Sequence, residues 1–341
     1  MRVLVTGGAG FIGTNFVLWL LHTVPDVRVT VLDAMTSAVM TNNFIYARRG
    51  SREDSVWERF EFVHGDVRDR DVLFPLVKDS DVVIHLAAES HNDWSLENPD
   101  LFVDTNVMGT LAVLEAVRHY GVRLHHVSTD EVFGDLPLDS GVFTATSPYR
   151  PSSPYSASKA GADHLVRAWT RSFDLPVTLS IASNNYGPYQ HIEKFIPRQV
   201  TELLEGRPMR LYGSGVHVRD WIHVSDHCRA LWAIVTGGEL GKTYLIGGAC
   251  EVSNSDIAAL VLDQGTWSLP ASEAVVHVAD RPGHDVRYAL DSRETTAELG
   301  WAPNIPLAQG IRDTITWYTN NRAWWQEAKA ATEQRYRARG Q

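Results

Sequence analysis

Two adjacent carboxylates, Asp130 and Glu131, stand upstream of Tyr155-Ser156-Ala157-Ser158-Lys159. On a helix, the phenol of Tyr155 and the amine of Lys159, four residues apart, share one face. A phenol titrates at about pH 10, so it serves as a base at neutral pH only beside a cation that stabilises its phenolate. With Lys159 as that cation, Tyr155 would remove a hydroxyl proton while hydride leaves the same carbon. Two neighbouring carboxyls in a partly dry site do not both ionise easily, so one becomes an acid and the other stays a base. Adjacent side chains of an extended segment point to opposite faces. Asp130 and Glu131 therefore meet one substrate only if the strand bends or ends there, and Phe133-Gly134-Asp135 offers a turn. Neither pattern decides alone: Y-x-x-x-K also occurs as a helix-surface pair, and Asp-Glu as an exposed acidic turn.

Upstream, Gly7-x-x-Gly10-x-x-Gly13 follows the apolar run Val3-Leu4-Val5 and opens a helical pattern. Glycines there permit a tight turn and let backbone N–H groups reach a pyrophosphate at the positive end of the helix. A plain strand–helix turn tolerates the same glycines, but Asp33 closes the next strand, twenty-six residues after Gly7. A carboxylate there accepts hydrogen bonds from a ribose diol and repels a 2′-phosphate, which favours NAD over NADP. The positive nicotinamide would join Lys159 in stabilising the Tyr155 phenolate. Asp66, after the third strand, could meet the adenine amine, and Ala87-Ala88, after the fourth, are small enough for close approach.

The elements that must position these residues alternate. Strands are expected at 2–6, 27–32, 60–63, 82–86 and 124–127, with helices at 14–22, 99–120 and 155–173 between them. That rhythm predicts a Rossmann-type α/β fold, a doubly wound parallel sheet with a smaller C-terminal α/β substrate-binding region. Residues 1–180 would form the NAD-binding part, with segments around 220–248 returning to it, and 181–341 would mainly hold the substrate. The sheet pattern returns at 177–182 and 243–246, and the C-terminal stretch from Ile311 is helical, its Trp317, Trp324 and Trp325 serving as core. Residues 34–55 look least structured and read as a mobile loop.

Hydrophobic residues at 44% and charged residues at 21% describe an ordinary globular chain. A net charge of −10 argues against nucleic acid as a partner, although a few arginines can still hold an anionic small molecule. Two cysteines, Cys228 and Cys250, make no disulfide framework, and no Cys/His spacing suggests a metal. Met1-Arg2 leads directly into a strand and no apolar run is long enough for a membrane span, so a soluble, cytoplasmic protein without membrane contact is expected.

Longer motifs run through the chain: VTGGAGFIG at 5–13, AAESH at 87–91, STDEVFGDL at 128–136, SPYSASKAGAD at 153–163, SNNYGPYQ at 183–190, EKFIP at 193–197, RDWIHV at 219–224 and RPGHD at 281–285. With them the chain resembles the extended short-chain dehydrogenase/reductases that modify nucleotide sugars, and among these the dTDP-glucose 4,6-dehydratases. The resemblance implies that Tyr155, helped by Lys159 and Thr129, oxidises the sugar at C4 with hydride passing to NAD. Glu131 would then take the C5 proton and Asp130 would protonate the departing C6 hydroxyl, after which hydride returns to C6. It implies NAD contacts from Gly7, Gly10, Phe11, Ile12, Gly13, Asp33, Thr36, Asp66, Val67, Ala87, Ala88, Asn106, Ser128, Tyr155 and Lys159. Asn185, Arg219 and Arg281 would hold the diphosphate, Lys194, Pro197 and Tyr212 the nucleotide, and Ser90 and His91 the sugar, with Thr129 and His284 also on the substrate. Arg219 beside Asp220 reads equally well as a surface ion pair. The resemblance further implies a homodimer through the Y-x-x-x-K helix and the helix after the fourth strand, with Leu165, Trp169 and residues 106–117 supplying apolar contacts.

The chain departs from this family's pattern at several places. Met35-Thr36-Ser37-Ala38-Val39 replaces L-T-Y-A-G, Asn92 and Trp94 stand where Val and Arg are frequent, Ala145 replaces a Glu, and Cys250 replaces an Asn. None falls on the Tyr, Lys, Asp or Glu. The rivals are an epimerase or another nucleotide-sugar dehydratase of the same fold, and, from a different class, a dinucleotide sensor that has lost its chemistry. Epimerisation needs no acid–base carboxyl pair, and a sensor would be expected to lose Tyr155 or Lys159. The 4-keto sugar stands at the head of both rhamnose and other deoxysugar routes.

Overall fold

The computed structural model describes residues 1–36, 43–50, 54–280 and 284–338. Its centre is a seven-stranded sheet built from β1 (Arg2–Thr6), β2 (Arg28–Asp33), β3 (Phe60–His64), β4 (Val82–His85), β5 (Arg123–Thr129), β6 (Val177–Ala182) and, after three strands that lie elsewhere, a late strand at Thr243–Ile246. All pairings in this sheet are parallel, in the order β3-β2-β1-β4-β5-β6 followed by Thr243–Ile246. β4 and β6 are buried along their whole length, as expected of parallel strands covered on both faces. Two hydrophobic clusters lie on the two sides, one around Phe16, Leu20 and Leu231, the other around Leu73, Val113 and Leu179. The strand order reverses between β1 and β4, and a crevice opens beyond the carboxyl ends of the strands at such a switch point.

After β6 the chain forms β7 (Asn184–Tyr186), β8 (Met209–Tyr212) and β9 (Val218–His223), then β10, the Thr243–Ile246 strand of the main sheet, and finally β11 (Glu251–Ser253) and β12 (Val275–Val278). β11, β9 and β7 make a small sheet, and β12 pairs with β8. A third core fills this part, with Tyr186, Trp221, Trp324 and Trp325 inside it. The tryptophans expected as core are therefore core, apart from Trp317, which packs against it partly exposed.

Two expectations change. Residues 34–55 are not simply a loop: Asn43–Gly50 is a helix and Asp54–Arg59 a 3-10 turn, with 37–42 and 51–53 outside the described residues. Buried Phe44 lies against Phe60 and Phe62, and the Asn43 amide donates to the Ala9 carbonyl, long-range contacts that local composition does not reveal. The helix expected over 99–120 carries a π-helical stretch at Val103–Met108, a distortion often found at functional sites. Asn106 within it donates to the Glu89 carbonyl and to Ser158 Oγ.

Candidate active site

A cavity of about 320 Å³ runs from the glycine turn across the ends of β1, β4 and β5 to the start of the Pro154–Phe173 helix. Gly7, at φ +68°, forms its floor: a Cβ there would come within 2.5 Å of the Ala87 nitrogen. A Cβ on Gly13 would come equally close, 2.5 Å, to the Gly7 carbonyl oxygen. The helix Phe11–Thr23 starts at Gly10 with no side chain capping it, leaving first-turn N–H groups available to an anion. Asp33 accepts from Ala9 N at 2.9 Å and Met35 N at 2.8 Å, and burial raises its carboxyl pKa while these donors pull the other way. Uncapped amides, a floor that excludes side chains and a carboxylate at the end of β2 fit a dinucleotide.

Phe11, Ile12, Thr36, Asp66, Val67, Ala87 and Ala88 also line the cavity, as do Ser90, Asn185 and Lys194. Asp66 is not a free acceptor, because Arg68 Nε donates to it at 2.9 Å and holds its pKa down. Lys194 Nζ donates to the Ser90 carbonyl at 2.8 Å, and Asn185 Oδ1 lies 3.0 Å from His227 Nδ1.

At the chemical end β5 stops at Thr129, and Asp130–Phe133 turns as a 3-10 helix into Gly134, whose φ is +83°. The strand thus ends where convergence requires it, and Ser128, Thr129, Asp130, Glu131, Tyr155 and Lys159 all face one cavity. Asp130 is buried, and its pKa is driven well above the ordinary carboxylate value by burial first, then by Glu131 and Asp220. Its Oδ1 accepts from the Thr129 hydroxyl at 3.3 Å, while Oδ2 is buried without a hydrogen-bond partner among the described residues. A carboxyl whose proton is held more tightly than usual, with one oxygen unused, is suited to act as an acid. Glu131 Oε2 accepts from the Asn92 amide at 2.5 Å.

Tyr155 differs from expectation. Burial, then the neighbouring Glu131, raises its pKa, and a hydrogen bond with Thr129 opposes them. Lys159 Nζ points to the Val127 carbonyl at 2.9 Å, and burial lowers its own pKa. Beneath it, Asp163 accepts from His126 Nε2 at 3.0 Å, Ser128 Oγ at 2.7 Å and the Tyr149 hydroxyl at 2.8 Å, and remains ionised despite full burial, its pKa lowered.

Other candidates lie off the cavity wall. Asn106 is behind it, fixing the Glu89 backbone. His91 pairs at 3.5 Å with Glu193, which does line the cavity. Pro197 is buried in the helix Phe195–Leu204, and Tyr212 and His284 sit together with their rings 6.1 Å apart. Arg219 is no surface ion pair: it is buried, its Nη2 donates to the Asp285 carbonyl at 2.8 Å, and its guanidinium lies over Tyr288. Asp220 instead accepts from Gly248 N and Cys250 N. Arg281, like Ser37, falls outside the described residues. Glu89, His191 and Glu193 line the cavity but were not singled out; Glu89 and Glu193 fall inside the AAESH and EKFIP motifs, a signal that could have found them.

Fold and site together define an extended short-chain dehydrogenase/reductase. The family model described as GDP-mannose 4,6 dehydratase matches residues 4–314. A dTDP-glucose 4,6-dehydratase of Mycobacterium tuberculosis is 52% identical over 343 residues, covering 100% of both chains. The dTDP-glucose 4,6-dehydratase DesIV of Streptomyces venezuelae, solved with NAD and TYD bound, superposes with a TM-score of 0.88 at 44% identity, covering 96% of this chain and 99% of its own. A Thermus thermophilus UDP-glucose 4-epimerase in complex with NAD gives a TM-score of 0.82 at 29% identity, covering 94% of this chain and 100% of its own. The chain belongs to the nucleotide-sugar 4,6-dehydratase family.

Proposed function

We propose that the chain is an NAD-dependent dTDP-glucose 4,6-dehydratase that makes dTDP-4-keto-6-deoxyglucose. The observation that carries this reading is the carboxyl pair. A buried Asp130 whose pKa is raised and its neighbour Glu131 face the same cavity as Tyr155, an arrangement suited to eliminating water and superfluous for epimerisation.

Gly7, Gly10, Gly13 and Asp33 would hold NAD by its pyrophosphate and adenosine ribose, with Tyr155 and Lys159 toward its other end. NAD held there would supply the hydride acceptor for C4 and the hydride donor for C6. Tyr155 accepts the C4 hydroxyl proton, which its raised pKa permits only when positive charge is brought beside it. Glu131 removes the proton from C5, made acidic by the adjacent ketone, and returns a proton to C5 as hydride reaches C6. Asp130 gives its proton to the C6 hydroxyl, which leaves as water. Residues 181–341, apart from the segments around 220–248, would chiefly hold the nucleotide and sugar.

Among the described residues no helix is long and apolar enough to cross a membrane. We assign the enzyme to the cytoplasm, where two free thiols, Cys228 and Cys250, would persist, and to a homodimer. The apolar contacts expected from Leu165 and Trp169 are partly spent within the chain, against the second core cluster. On and beside the Pro154–Phe173 helix, Leu96, Leu101, Val103, Met108 and Phe173 are exposed among the described residues.

The test is incubation with dTDP-glucose and NAD in heavy water, followed by mass spectrometry. The expected product has lost one water and retains one solvent deuteron at C5, and Glu131→Gln abolishes it while sparing some C4 oxidation. A C4 epimer without mass loss would instead make the enzyme an epimerase.

A further inference from the structure

Asn92 is one of the positions at which the chain departs from its family's usual residue, and the structure gives it a partner. It opens the short helix Asn92–Glu97, where its carbonyl accepts from Ser95 Oγ at 2.6 Å. Its side-chain Nδ2 donates to Glu131 Oε2 at 2.5 Å. An ionised carboxylate only accepts hydrogen bonds, so the contact fixes which end of the amide faces Glu131. Asn92 itself does not line the cavity, whereas Glu131 does. Any influence on the reaction therefore passes through Glu131.

The amide restricts the rotation of a carboxylate carried on a single-turn 3-10 helix, Asp130–Phe133. The Asn92 Oδ1 atom is buried with no hydrogen-bond partner among the described residues, an arrangement that costs stability and that valine would avoid.

We propose that Asn92 is a positioning residue for the elimination step: its carboxamide holds the Glu131 carboxylate in the orientation from which it meets C5. This rests on Glu131 as the base that takes the C5 proton. Valine is frequent at this position in the family, so Asn92→Val should fold and still dehydrate.

The experiment compares kcat, KM, solvent-deuterium entry at C5 and the single-turnover appearance of reduced NAD from C4 oxidation for wild type and Asn92→Val, with Glu131→Gln alongside. In Asn92→Val, kcat and deuterium entry should fall roughly tenfold, with KM changed less than about twofold and C4 oxidation spared. An equal loss of C4 oxidation and deuterium entry, or no loss of either, would reduce Asn92 to a structural role and overturn the proposal. Deuterium entry that survives in Glu131→Gln would instead remove Glu131 as the base, a failure of the underlying reading that is visible without any Asn92 variant.

Discussion

Asp130 is where folding and chemistry ask for opposite things. Its burial, together with Glu131 and Asp220, raises its pKa well above the ordinary value, so above the unfolded value the fold bears the cost of burying a carboxyl that resists ionisation. A raised folded-state pKa contributes stability that is fully present below the unfolded value of about 4 and is lost as pH rises through the folded value. Asparagine mimics the protonated shape without that penalty. Asp130→Asn is therefore expected to melt at higher temperature than wild type at about pH 8, with the gain shrinking toward about pH 4. Dehydration should fall by about a hundred- to ten-thousand-fold, because the departing hydroxyl has lost its acid. Thermal melts at the two pH values and product formation check both halves; a gain that did not depend on pH would contradict the raised pKa. The sequence made the pair itself legible, and the turn at Phe133-Gly134-Asp135 that lets both carboxyls face the cavity. It could not supply the order of the two pKa values, which burial and a distant Asp220 decide.

Between elements, the main question is what fixes the Pro154–Phe173 helix against β5, since each carries part of the site. Asp163 on the helix accepts from His126 and Ser128 on β5, and Lys159 on the helix donates to the β5 carbonyl of Val127. Asp163 also offsets the burial that depresses the Lys159 pKa. Its own pKa is lowered by His126, Lys159 and Ser128 against burial. Its stabilisation is therefore present above about pH 4, the unfolded value, and is lost as pH falls through the lowered folded value. Asp163→Asn should cost about 3 kcal/mol at neutral pH, the deficit closing at the acid end, and urea unfolding at two pH values measures it. A loss below about 0.5 kcal/mol would mean that packing alone seats the helix. The strands and this helix were readable from local pattern, the helix expected at 155–173 and found at Pro154–Phe173. The tether was not, because a buried Asp inside A-G-A-D looks like any helix-surface acid until the partner strand is known. The Asn43–Gly50 helix was missed for the same reason: Phe44 and Asn43 find their partners far along the chain.

For the whole molecule, five of the twelve exposed large apolar side chains among the described residues lie on neighbouring elements. Leu96, Leu101, Val103 and Met108, all at least 41% exposed, fall in one stretch of thirteen residues that packs against the Pro154–Phe173 helix, at whose end Phe173 is 40% exposed. Apolar surface gathered in this way marks an association site more often than chance exposure does. Placed on paired helices, it suits a two-fold contact in which each patch meets its own copy. Leu101 belongs to the patch and also lines the cavity, so association would close part of the active-site wall as well as cover oil. Val103→Glu combined with Met108→Glu should leave the monomer folded, since both side chains face outward, but should place buried like charges in the dimer contact. Sedimentation is expected to give a dimer for wild type and a monomer for the variant. Activity should fall with it, and should recover in part at high protein concentration as the weakened dimer re-forms. A variant that stays dimeric would move the interface to another face. One that becomes monomeric with undiminished turnover would leave Leu101 as an ordinary wall residue, and the cavity complete within a single chain.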